Sequence, residues 1–193
     1  IPAAIALLIA SEQIVSALFG YGTFDEDGVK NSAKALFYFS LGLPAFSLIK
    51  VFSSFFFAHH NTKTPFYISL ISVLLNIIIS VFYFKSLGFV IIPIATSISS
   101  WFNSIMLFIF LKKKNLFNFN FLFVNRFIRI LISAIFMGIF FDYLIEFFDT
   151  SLAYGQNFKA GYLIGVVLLG LISYLLIALL IKAFKISDIK LKY

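Results

Sequence analysis

The chain has 193 residues, 62% of them apolar and only 12% charged, with 28 phenylalanines and a mean hydropathy of +1.04. Soluble domains are nearer half apolar and a quarter charged, and a chain this short lacks the interior volume to hide so much apolar surface. Lipid is therefore the solvent expected for most of it, and the absence of cysteine excludes disulfides and thiolate metal sites.

In chain order, the first apolar run covers residues 1 to about 20 and is interrupted by Ser11, Glu12 and Gln13. It opens on Ile1 with neither Met nor a basic leader, so the chain is expected to be a fragment of a longer membrane protein. From Gly20 to Lys34 the composition turns polar, with Asp25, Glu26 and Asp27 beside three glycines, which reads as a loop. Five further apolar runs follow at about 35–58, 66–84, 89–111, 127–148 and 160–184. Each has close to the 20 residues that carry a helix across a hydrocarbon core of about 30 Å. Membrane strands would be about 10 residues long with alternating polarity, a pattern the sequence lacks. The expected class is an all-α polytopic membrane protein with six transmembrane helices.

The basic residues fall on every second connection: His59, His60 and Lys63; then Lys112, Lys113, Lys114, Arg126 and Arg129; then Lys182, Lys185, Lys190 and Lys192. Asp25, Glu26, Asp27, Asp142, Glu146 and Asp149 fall on the others, together with Lys30, Lys34, Lys85 and Lys159. The positive-inside rule places the basic connections and the C-terminus in the cytoplasm. The net charge of +7 is then an orientation signal meeting anionic head groups, not a nucleic-acid surface. The stretch from Asn115 to Asn125 alternates Asn with Phe and reads as a short interfacial segment. It divides the chain into four helices over 1–112, a linker over 113–126, and an appended pair with a cytoplasmic tail over 127–193.

No hydrolase, kinase or metalloprotease motif is present, so no catalytic residue and no metal is expected. Lys50 lies eight residues before the end of the second run, roughly 12 Å inside it at the helical rise. Such a lysine either snorkels to the interface or lines a hydrated cavity open to a phosphate or an acidic partner. Glu12 poses the same choice in the first run. Asn76 with Ser80, and Ile92 with Thr96, are i,i+4 pairs that put oxygens on one helix face. They form either interhelical hydrogen bonds or a small monovalent-cation site. Ala160, Gly161, Gly165 and Gly170 give the last run a small-residue face for packing or a shallow groove.

The succession of Ser11-Glu12-x-Ile14-Val15, Leu18-Phe19-x-x-Gly22-x-Phe24, Tyr38, Gly42-Leu43, Lys50, Ala58 and Asn61-Thr62-Lys63-Thr64-Pro65 resembles the C-terminal half of the MurJ (MviN) family. Asn76, Gly88, Ala95-Thr96-Ser97-x-Ser99 and Trp101-x-Asn103 continue the resemblance through residue 112, and hydropathy carries it further. The family consists of lipid II flippases of the multidrug/oligosaccharidyl-lipid/polysaccharide exporter superfamily, which have a fourteen-helix, two-lobed fold. The resemblance implies that these six helices are the ninth to fourteenth. The implied role is in peptidoglycan and cell wall biogenesis: moving the undecaprenyl-diphosphate-linked disaccharide-pentapeptide across the bacterial inner membrane by alternating access. The last two helices would then form a groove for the lipid tail. Beyond this substrate, the partners implied are membrane lipids and an N-terminal half of the same chain that carries most cavity arginines. No cofactor is implied, and Na⁺ or the membrane potential is the candidate driving force. Some members bind a monovalent cation through an Asn, an Asp one turn later, and a Thr on the next helix. Asn76 and Thr96 match, whereas Ser80 stands in place of the acid, and Gln13 stands where the family often has Pro. Competing readings are another polysaccharide-lipid flippase, a cation-coupled drug antiporter of the same superfamily, and a non-transporting membrane scaffold.

Overall fold

A computed structural model describes residues 1–114 and 121–183. Among these residues every regular element is helical. The elements are α1 (Pro2–Ile9), α2 (Ser11–Phe19), α3 (Glu26–Ala58), α4 (Lys63–Leu87), a 3₁₀ turn (Gly88–Val90), α5 (Ile91–Lys113), α6 (Phe121–Phe147), the short α7 (Asp149–Leu152) and α8 (Lys159–Leu180). Four stretches are long and apolar enough to cross a membrane: Glu26–Ala58, Lys63–Lys113, Val124–Phe147 and Lys159–Leu180. The 51-residue stretch is two antiparallel passes, because Asn76 on α4 bonds Thr96 on α5 and Ser69 bonds Asn103 farther out. The α1–α2 pair, bent by 76°, is a further apolar stretch, either one broken span or a re-entrant loop. The all-helical membrane class expected from hydropathy is the class found.

The first run breaks at Ala10, one residue before the polar triplet, and Ser11 and Glu12 open the new helix α2. Glu12 there meets the partial positive charge of a helix N-terminus. The loop expected over Gly20–Lys34 is shorter than composition suggested, since α3 starts at Glu26. The reason is a cap: Asp25 Oδ1 accepts the Gly28 N–H at 2.8 Å, and Glu26 and Asp27 supply the acidic first turn that a helix dipole favours. The Glu26 carboxylate also pairs with Lys30 one turn on, at 2.7 Å. α6 likewise begins at Phe121, ahead of the expected 127, and its opening turn takes in the last residues of the Asn–Phe stretch. Residues 115–120 of that stretch, and the lysines beyond Ala183, lie outside the described residues.

Close contacts group the chain into two units. One unit comprises Ile1–Ala33 and Phe119–Tyr193, the other Lys34–Asn118. In the first, α1 packs on α6 and α2 on α8 around Ala10, Ala17, Phe141, Leu144, Leu163 and Val166. Gly138 makes room for Ile5, because a Cβ there would lie 2.8 Å from its Cγ2. In the second, Phe56, Ile68, Leu107 and Leu111 form the core of α3, α4 and α5. α3 continues through Pro44, whose missing N–H leaves the Ser40 carbonyl without its usual helical donor. Just beside that gap, α5 takes hold of α3: Ser97 Oγ donates to the Tyr38 carbonyl, and Trp101 Nε1 to the Leu41 carbonyl at 3.0 Å. Gly42 permits the approach, for a Cβ would meet Ser97 Oγ at 2.8 Å.

Candidate functional site

The polar residues of the second unit converge on the α4–α5 hairpin. Asn76 Nδ2 donates to Thr96 Oγ1 at 3.1 Å and to Ser99 Oγ at 3.3 Å, and Ser80 Oγ donates to Asn76 Oδ1 at 3.4 Å. Thr96 Oγ1 in turn donates to the Ile92 carbonyl at 2.8 Å. Asn76, Ser80, Ile92 and Thr96 thus meet as one connected seam between two helices. Each such bond inside a bilayer contributes on average about 0.6 kcal/mol. The seam borders a cavity of about 370 Å³ that Phe46, Ser69, Ser72, Ser100 and Asn103 also line. Asn103 Nδ2 reaches Ser69 Oγ at 3.4 Å, while its buried Oδ1 has no partner. No group of three or more acidic, His or Cys side chains gathers among the described residues.

The turn Asn61-Thr62-Lys63-Thr64-Pro65 has a defined local geometry. α3 ends in a Schellman motif, with His60 at φ 54°, Asn61 N–H donating to the Phe56 carbonyl and His60 N–H to that of Phe57. Asn61 then turns to the next helix. Its Oδ1 accepts the Thr64 N–H at 3.2 Å, and its Nδ2 donates to Thr64 Oγ1 at 3.0 Å. Pro65 occupies the third position of α4, where a helix has no acceptor for an N–H. Lys63 and Thr62 are exposed.

Lys50 and Glu12 are both exposed side chains on apolar helices, in different units. Lys50 presents its ammonium from α3 two turns above the Schellman end, and its carbonyl accepts Ser54 Oγ. In the first unit, Gly161 and Gly165 leave open space where side chains would stand, and with Phe148, Phe158, Tyr162 and Leu169 they line an apolar groove of about 480 Å³. Gly170 differs: a Cβ there would lie 2.8 Å from Phe141 Cδ2, so it is a packing glycine.

One charged residue escaped the sequence reading. In the sequence Lys159 stands as one more charge on a connection between apolar runs, yet it is only 1% exposed. Its Nζ donates to the Gly20 carbonyl at 2.7 Å, the Tyr154 carbonyl at 2.7 Å and Ser16 Oγ at 3.4 Å. The rings of Tyr21 and Tyr154 lie 4.4 and 4.8 Å away. No sequence signal links these residues, because Ser16, Gly20 and Tyr21 stand far from Tyr154 and Lys159 in the chain.

The chain is similar to known proteins along nearly its whole length. The family model described as lipid II flippase MurJ matches residues 1–163. A probable lipid II flippase MurJ of Rhizobium tropici is 30% identical over 192 residues, covering 98% of this chain and 36% of that protein. Its counterpart in Rhizobium meliloti is 32% identical with the same coverage. A solved structure of lipid II flippase MurJ in an inward closed conformation superposes with a TM-score of 0.71 over 94% of this chain and 36% of that one, at 23% identity. The chain thus spans about a third of the length of the relatives it matches, and the fold likeness agrees with the helical bundle described above. On the match over residues 1–163, this chain belongs to the MurJ lipid II flippase family.

Proposed function

We propose that this chain supplies the last six membrane segments of a lipid II flippase that works by alternating access in the bacterial inner membrane, with its C-terminus in the cytoplasm. The family match over residues 1–163 carries the reading. Its coverage, 98% of this chain but 36% of the relative, supports a partial assignment in which an N-terminal half of the same protein completes the path. The substrate is the undecaprenyl-diphosphate-linked disaccharide-pentapeptide, and no covalent bond changes. The exposed ammonium of Lys50 suits the diphosphate, since a charge-assisted contact to phosphate is among the strong hydrogen bonds. Glu12, exposed in the first turn of α2 just past the bend, is a second charge available to the head group. The groove beside Gly161 and Gly165 suits a polyprenyl tail, being apolar and open. The seam at Asn76, Ser80, Ile92 and Thr96 offers oxygens to a monovalent cation but no carboxylate, which favours the membrane potential over Na⁺ as the driving force.

The full-length protein tests this directly. Depleting it from its host should trap lipid II on the cytoplasmic leaflet, and expressing it should rescue a flippase-deficient strain. Lipid II that stays accessible from outside after depletion, together with failed rescue, would sink the reading. Lys50→Ala should lower transport about tenfold, the factor that a loss of about 1.4 kcal/mol corresponds to. Transport unchanged by Lys50→Ala returns that lysine to snorkelling. Replacing external Na⁺ by choline should leave transport intact.

A further inference from the structure

We propose that Lys159 is a positioning residue: it fastens the bent α1–α2 segment to α8, so that α1, α2, α6 and α8 travel as one body when the transporter changes state. The travelling part rests on the transport reading above; the fastening does not.

A buried ammonium is costly unless its donors find partners. A lysine at the head of a membrane-length helix ordinarily reaches outward to water, yet this one is turned inward and is only 1% exposed. An ammonium has three donors and no acceptor, and all three are used, on Gly20, Tyr154 and Ser16. None of these partners is a carboxylate. Two are backbone carbonyls, so the lysine grips the path of the main chain and not a side chain that could swing away. The Gly20 carbonyl belongs to the C-terminal end of α2, where the helix dipole is negative and welcomes a cation. The Tyr21 and Tyr154 rings turn their faces to the same charge.

The surroundings are shaped for this contact. At Gly20 a Cβ would stand 3.0 Å from Lys159 Nζ and 2.6 Å from the Ser16 carbonyl, so a side chain there would crowd both the ammonium and the end of α2. Tyr154 adds a second tie through its hydroxyl, which donates to the Phe24 carbonyl at 2.6 Å. At the opposite end of the segment, Gly138 admits Ile5 and beds α1 on α6. Both arms of the bent segment are therefore held, and the 76° bend between them is held too, by Ala10 at the centre of the core cluster. Hinges are commonly a few loop or element-terminal residues, such as a break between helices supplies. Here the break is buttressed on both sides, and it is carried, not flexed.

Spin labels on Leu18 of α2 and Ile164 of α8, each 61% exposed, read the fastening in the full-length protein in lipid nanodiscs, in a background without other cysteines. Wild type should give one narrow distance that is the same with and without added lipid II. Lys159→Met, which keeps the length but removes the donors and charge, should broaden the distance and lose rescue of a flippase-deficient strain. Lys159→Arg should restore both, whereas a side chain needed only as filler would be better replaced by Met than by Arg. If Lys159→Met is not recovered folded, Tyr21→Leu, which removes one ring and leaves the hydrogen bonds, should broaden the distance to a smaller degree. A narrow distance in Lys159→Met, or a wild-type distance that shifts with lipid II, overturns the proposal. A wild type that keeps its narrow distance but rescues nothing overturns the transport reading alone.

Discussion

At the scale of single residues, the sequence exposes a charge most clearly where hydropathy surrounds it. Lys50 and Glu12 stood out because each interrupts an apolar run, and both prove to be exposed side chains on apolar helices. Lys159 was hidden because it lies at the edge of a run, where a lysine is ordinary, and because its partners at Ser16, Gly20 and Tyr154 are brought to it only by the fold. The i,i+4 spacing of Asn76 and Ser80 was legible, but their dominant link is across the hairpin to Thr96 and Ser99. Asn76→Ala should therefore destabilise the protein by about 1 kcal/mol, read as a fall in the unfolding midpoint in detergent. Combined with Thr96→Val, the loss should be clearly less than additive, because both changes remove one shared bond.

At the scale of elements, apolar runs gave the centres of the helices and misjudged their ends. Ends are decided by caps, and caps use few residues: Asp25 for α3, Asn61 for α4, and the left-handed residues His60 and Lys182 closing α3 and α8. Two substitutions of opposite sign follow. His60 pays a steric penalty at φ 54° that glycine avoids, so His60→Gly should stabilise the protein by about 1 kcal/mol. Gly88 joins α4 to α5 at φ 61° and ψ −148°, a region open essentially to glycine alone. A Cβ there would touch nothing, so any effect of Gly88→Ala is backbone strain, on the order of 1–3 kcal/mol of destabilisation. Thermal unfolding of the two variants beside wild type measures both.

At the scale of the whole molecule, the all-helical membrane class was legible because a bilayer imposes a length and an apolar composition on whatever crosses it. Which segments associate was not. Within lipid no hydrophobic drive selects partners, so the grouping of Ile1–Ala33 with the segments after Phe119 depends on local fits such as Gly138 with Ile5 and Gly170 with Phe141. Orientation can be checked with single cysteines, since these 193 residues contain none. A cysteine at Asn61 should react with an impermeant maleimide only after the membrane is opened, and one at Asp25 should react in intact spheroplasts. The reverse pattern would invert the topology.

The bend at Ala10 also bears on the membrane itself. Its arms of 8 and 9 residues, set at 76°, span roughly 20 Å end to end at 1.5 Å per residue. With one arm set along the bilayer normal, the other would lie 76° from it, nearer the membrane plane than the normal.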